Sequence, residues 1–169
     1  HDPARDGGLW TRLENLGVPD NVRVYLQPEE IVIADGVTLL TAPCGVRRSL
    51  DDPTAWMEET QRAAGHIRIG LAHGAVHGFG GESGAAGLIS PGRRRSADLD
   101  YLALGDWHGC KEVDEAVWYA GTPEADQFPE NEPGYVLQVT IPEPGAVAEV
   151  VRHGVGQFRW FRRQYEISR

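Results

Sequence analysis

Two short apolar runs constrain this chain more than any other feature. Ile67–Ala72 (I-R-I-G-L-A) runs straight into His73-Gly74, and Leu99–Leu104 runs into Gly105-Asp106-Trp107-His108-Gly109. Apolar runs this short, closed by turn residues, read as buried strands. Loops that leave strand ends are where open α/β proteins place their chemistry. Glycines beside the polar residues let backbone and ligand approach closely.

The surrounding segments predict an α/β or α+β fold with stacked sheets. Leu9, Trp10, Leu13 and Leu16 recur at helical spacing, and Gly17 closes that helix. Val22–Leu26, Glu30–Ala34 and Val37–Thr41 read as strands, with Asp35-Gly36 as the hairpin turn between the last two. A second helix is expected from Asp52, as N-cap, and Pro53 through Ala64, stopped by Gly65. Later strands are expected at Ala116–Ala120, Tyr135–Ile141 and Val147–Arg152, and Gln157–Tyr165 alternates aromatic and charged residues. Gly and Pro together make 21 + 11 = 32 of 169 residues, which predicts many turns. The Gly-rich stretch 74–98 is too long for an idle connector.

Composition narrows the class. A hydrophobic content of 41% supports a real core, and the net charge is −9. That field argues against wrapping nucleic acid by bulk charge, but not against a nuclease whose metal ions supply local positive charge. No apolar run is long enough to span a bilayer, so no membrane partner is expected. Two cysteines, Cys44 and Cys110, are too few for a disulfide scaffold, which favours a cytoplasmic setting.

On an extended stretch, residues i and i+2 point to the same side. Asp106 and His108 therefore present a carboxylate and an imidazole together, a donor pair suited to Mn, Fe, Zn or Ni. The plainer reading is an Asp-His pair in a surface turn; His73 on a second strand end weighs against it. His77, in the Gly-rich loop, is either a substrate contact or a solvated histidine. His66 and His153 read as structural. Cys110 beside His108 reads as a buried, inert thiol rather than a nucleophile. Arg93-Arg94-Arg95 could meet phosphates or simply be solvated. Gly74–Gly87 is not a phosphate loop, because no G-K-[ST] follows.

The ordered series His73-Gly74, L-D-Y-L-A-L-G-D-W-H-G (99–109), W-Y-A-G-T-P-E (118–124) and G-Y-V-L-Q-V (134–139) resembles the second half of a calcineurin-like metallophosphoesterase. The similarity is greatest to the DNA repair exonuclease branch, that of the SbcCD nuclease subunit. It extends from His1 to about Ile141. His1-Asp2 matches the end of that family's G-N-H-D motif. The resemblance implies a four-layer α-β-β-α sandwich, here without its N-terminal part, so that residues 1–169 form the C-terminal portion of one domain. It implies His1 as the catalytic histidine near the scissile phosphate, oriented by Asp2. It implies His73 and Asp106 as ligands of one metal and His108 as a ligand of the other. Asp106 stands where the family has histidine, and the earlier D-x-H and G-D-x-x-D motifs are absent from this sequence.

The expected function is metal-dependent phosphoester hydrolysis, as a DNA exonuclease or phosphodiesterase, with two divalent metals. Manganese comes first, with Fe, Zn, Mg or Ni as alternatives. The expected partners are a phosphoester substrate such as DNA, an N-terminal segment supplied in cis or in trans, and an ATPase subunit. Alone, the chain is expected to be inactive. The competing expectation is a non-catalytic β-rich fragment or interaction module that lacks the upstream ligands.

Overall fold

The computed structural model describes residues 4, 7–45, 51–78, 88–126 and 131–166. Ten strands are placed among them: β1 (Glu29–Ala34), β2 (Val37–Ala42), β3 (Ile67–His73), β4 (Ala75–Val76), β5 (Leu88–Ile89), β6 (Tyr101–Gly105), β7 (Lys111–Asp114), β8 (Val117–Tyr119), β9 (Tyr135–Thr140) and β10 (Glu149–Gly154). Six of them form a mixed sheet in the order β1-β2-β3-β6-β8-β7. Its centre, β2-β3-β6-β8, is parallel, and hairpin partners β1 and β7 add antiparallel edges. Asp35-Gly36 turns the first hairpin, with Gly36 at φ 68°, as the sequence predicts. The chain is thus a mixed α/β protein with few helices.

The apolar runs are strands because both faces of the sheet are covered, as parallel sheets require. On one face Leu40, Ala42, Ala72, Leu102, Leu104 and Tyr119 join Met57 and Ile89 in a single cluster. On the other, Tyr101 and Ala103 pack with Ala148 and with Val139 and Val150 of the β9–β10 hairpin. Gly70 sits mid-sheet because a Cβ there would lie 2.7 Å from a Leu102 methyl and 2.8 Å from a Leu99 methyl.

Helix α1 (Leu9–Leu16) forms where expected, and Gly17 at φ 83° ends it. None of its residues is buried. The helix expected from Asp52 to Ala64 shrinks to a five-residue 3₁₀ turn, Ala55–Glu59. Tertiary polar contacts override helix propensity there. One Asp52 oxygen accepts the Thr54 N–H at 2.8 Å. The other accepts the Ser90 N–H at 2.8 Å and Arg93 Nη2 at 2.9 Å. Beyond the turn, Arg62 is drawn to Asp98 and Asp100, and a tight turn at Ala64-Gly65, closed by the His66 N–H to Ala63 O at 3.1 Å, leads into β3. Val22–Leu26 joins no strand ladder. The stretch 74–98 is not one long loop: β4, β5 and a helical turn, α2 (Arg93–Ser96), lie in it, and residues 79–87 fall outside the described set. Strand β7 was not expected; its sequence K-E-V-D carries no apolar alternation. Gln157–Tyr165 belongs to no strand. No helix among the described residues is long and apolar enough to cross a membrane.

Candidate functional site

Because β2, β3, β6 and β8 run the same way, their carboxyl ends meet at one edge. Strand β3 ends in His73, which lies in register with Gly105 at the end of β6. A Cβ on Gly105 would sit 2.9 Å from His73 Nδ1, so only glycine leaves room for the imidazole. The next residue, Asp106, brings its Oδ1 to 3.6 Å from His73 Nε2, with each side chain about one-third exposed (34% and 35%). Asp106 adopts φ 116°, a region that L-residues rarely enter and that costs about 1–3 kcal/mol. Such strain persists where the surroundings hold a residue in place, and it clusters at functional sites. Here the surroundings are explicit: the Gly74 N–H donates to Gly105 O at 3.1 Å, and the Thr122 N–H to His108 O at 2.9 Å.

His108 follows two residues later. Its Nδ1 lies 2.6 Å from Asp126 Oδ2. Nδ1 makes no aligned hydrogen bond to that carboxylate. Burial lowers the His73 pKa below the ordinary imidazole value; Asp106 opposes the shift and His108 adds to it. His73 is therefore neutral near pH 7, the form that donates a lone pair to a metal.

The structure thus joins His73 to Asp106, places His108 near enough to act on His73 electrostatically, and adds Asp126, which sequence reasoning missed. The signal for Asp126 was present: T-P-E-A-D follows β8, another strand of the same parallel set, so the strand-end rule applies there too. His77 is exposed on the turn after β4, where its backbone N–H donates to Ile89 O at 3.0 Å; among the described residues no contact joins its side chain to the pair. His1 and Asp2 lie outside the described residues. His66 bonds Thr38 through Nδ1 at 2.9 Å, and His153 bonds Gln138 at 2.9 Å. Cys110 is buried, and burial pushes its thiol pKa up, which keeps it protonated. The three arginines each meet a carboxylate, and only Arg95 stays largely solvated, its side chain 67% exposed. Arg93 is buried against Asp52 and Glu58, Arg94 pairs with Glu115, and Arg95 pairs with Asp114.

Tyr119 supports the site from beneath. Its hydroxyl donates to Gly74 O at 2.8 Å and accepts the Val76 N–H at 3.0 Å. Burial pushes its pKa up to about 12. Tyr119→Phe would leave both backbone groups without that partner, at about 1–3 kcal/mol. Urea unfolding should show a lower midpoint with an unchanged slope.

A cavity of about 670 Å³ lies beside this edge, lined by His73 and Gly105 together with Trp10, Leu13, Val24 and Leu71. Its walls are mainly apolar, with His73 among the few polar side chains that line it.

No protein-family model matches the chain, and no curated protein matches it.

Divalent ions suit the donors present in kind. An imidazole nitrogen and a carboxylate oxygen 3.6 Å apart fit neighbouring positions around one hard or borderline ion. In number they are few: among the described residues no group of three or more His, Cys, Asp or Glu is placed to hold an ion.

Proposed function

We propose that this edge is part of a metal-dependent phosphoester hydrolase site, of the DNA exonuclease or phosphodiesterase kind, in a calcineurin-like four-layer sandwich. The observation that carries the reading is the meeting of His73 and a strained Asp106 at the carboxyl ends of adjacent parallel strands, with His108 on the same loop. His73 and Asp106 would hold one divalent ion, manganese foremost, and His108 would serve a second. Such ions supply charge stabilisation at the phosphoryl oxygens and an activated water. The chain's own residues supply the rest. Gly105 keeps the imidazole against the strand end, Asp126 lies against the His108 ring, and the cavity beside His73 leaves room for substrate. His1 and Asp2, named by the resemblance, complete the proposal as leaving-group acid and its orienting partner.

A manganese titration followed by calorimetry tests this reading. Binding that weakens at least ten-fold in both His73→Ala and Asp106→Ala supports it, since even removal of an outer partner costs 10–100-fold. Unchanged binding in both variants rejects the assignment. The second reading, a non-catalytic β-rich module, takes its support from the small number of donors. It predicts that no stoichiometric binding occurs at all, and that metal-dependent hydrolysis of bis-p-nitrophenyl phosphate stays at background.

A further inference from the structure

Beyond β10 the chain changes character. Every residue from Val155 to Glu166 is exposed, and none joins a helix or a strand. Within Q-F-R-W-F-R-R-Q-Y-E (157–166) stand four aromatics and three arginines against a single acid, in a chain whose net charge is −9. Phe158, Phe161 and Tyr165 leave 72%, 76% and 75% of their surface open to solvent, and Trp160 leaves 46%. Isolated exposed aromatics are ordinary, but a contiguous run of them marks an interaction site.

The order of the side chains narrows the partner. Along an extended segment alternate residues share a side. Phe158, Trp160 and Arg162 then fall on one side, and Arg159, Phe161, Arg163 and Tyr165 on the other. Both sides mix rings with guanidinium groups, so neither offers the purely apolar face that an interfacial lipid anchor needs. Rings that stack on bases, interleaved with cations that meet phosphates, are the recognition chemistry of single-stranded nucleic acid. A duplex would hide the base faces that the rings require.

The start of the strip is fixed beside the candidate site. The Gln157 and Phe158 N–H groups donate to the Glu124 carboxylate at 2.8 and 3.1 Å. The Trp160 indole N–H donates to Ala125 O at 2.9 Å. The next residue on that loop is Asp126, which holds His108. A strand lying along 157–166 is therefore delivered to the loop that shapes the His73–Asp106–His108 edge.

We infer that residues 157–166 form a docking strip for single-stranded nucleic acid, positioned to present its phosphodiester backbone to that edge. The inference deepens the phosphoester reading and rests on it for the destination of the strand, while the binding itself requires no hydrolysis.

The test uses the full chain and a dye-labelled oligothymidylate of about 20 nucleotides, followed by fluorescence anisotropy at several salt concentrations. The combined variant Phe158→Ala, Phe161→Ala, Tyr165→Ala is expected to bind at least ten-fold more weakly. The combined variant Arg159→Gln, Arg162→Gln, Arg163→Gln is expected to flatten the slope of log K against log salt by about 2, at about 0.7 per phosphate released. All six side chains are exposed, so circular dichroism should be unchanged. The inference is overturned if the wild-type chain does not bind the oligonucleotide, or if both variants bind it as the wild type does. It is equally overturned if the strip proves to hold phosphatidylglycerol vesicles, or a second copy of the chain by sedimentation, in place of the oligonucleotide. Manganese titration at His73 and Asp106 is read separately. No manganese binding by the wild-type chain, or binding unchanged in His73→Ala and Asp106→Ala, with oligonucleotide binding intact rejects the hydrolase and leaves the strip; manganese binding that depends on both residues, with no oligonucleotide binding, rejects the strip alone.

Discussion

Asp100→Ala should destabilise the protein by about 3–5 kcal/mol, the usual result of removing one member of a buried charge pair. Asp100 is 3% exposed and receives hydrogen bonds from three directions. Oδ2 accepts Arg62 Nη1 at 2.6 Å and the Arg68 N–H at 2.8 Å. Oδ1 accepts Arg62 Nη2 at 3.0 Å and the Gly145 N–H at 2.8 Å. One carboxylate thus ties the start of β3, the end of the 3₁₀ segment and the turn between β9 and β10. Asparagine is no remedy. Whichever oxygen becomes an amide faces two donors, so Asp100→Asn should cost nearly as much as alanine. Asp98 pairs with the same arginine, but its side chain is 68% exposed. Asp98→Ala should therefore cost under about 1 kcal/mol, as exposed pairs do. Chemical denaturation of the three variants reads the contrast directly. Equal losses at positions 98 and 100 would show that burial does not set the cost.

What could be read from the sequence follows a physical division. Strands that bury apolar residues on both faces declare themselves, which is why Ile67–Ala72, Leu99–Leu104 and the Asp35-Gly36 hairpin fall where expected. The same logic brought His73 and Asp106 to one edge, because strand ends and glycines are local signals. Elements set by long-range polar ties are not local. Nothing within 52–64 announces that Arg93 and Ser90 will claim Asp52, or that Asp98 and Asp100 will claim Arg62, so the expected helix became a single turn. Strand β7 has no apolar face to display and exists because β8 offers it an edge.

The site divides in the same way. His73, Asp106 and His108 lie beside glycines at strand ends and are legible one at a time. Their pairing is not legible in local pattern; for His73 and Asp106 only the family resemblance implies it. Asp106 meets His73 only because β3 and β6 are adjacent, and Asp126 meets His108 only because the loop after β8 folds back across the end of β6. The triple arginine, open in the sequence between phosphate contact and solvation, shows the same limit: Arg93 and Arg94 are claimed by carboxylates distant in sequence, and Arg95 pairs with Asp114 while staying largely solvated.

That folded-back loop hangs on Gly121, and Gly121→Ala should be the most damaging single change at the site. The residue sits at φ 74°, and an added Cβ would lie 2.6 Å from the Gly109 carbonyl carbon, 2.7 Å from Cys110 N and 2.8 Å from His108 O. The left-handed backbone alone costs an L-residue roughly 1–2 kcal/mol. The contacts add more, because these neighbours are backbone atoms that cannot rotate away, and overpacking costs about 1–3 kcal/mol. Gly65 isolates the two contributions: it has φ 76° and nothing within 4 Å of the added Cβ. Gly65→Ala should lose the backbone share alone. Gly121→Ala should lose about 2–5 kcal/mol in total, or roughly 10 °C in Tm for a chain of this size. Its effect should also reach function. Relief of the clash must move residues 108–110, breaking the Thr122 N–H to His108 O bond of 2.9 Å and parting His108 from Asp126. The nitrogen chemical shifts of the His108 ring should therefore change in Gly121→Ala and stay as in the wild type in Gly65→Ala. Identical His108 shifts in both variants would mean that the loop does not set the imidazole, and that Asp126 has no positioning role.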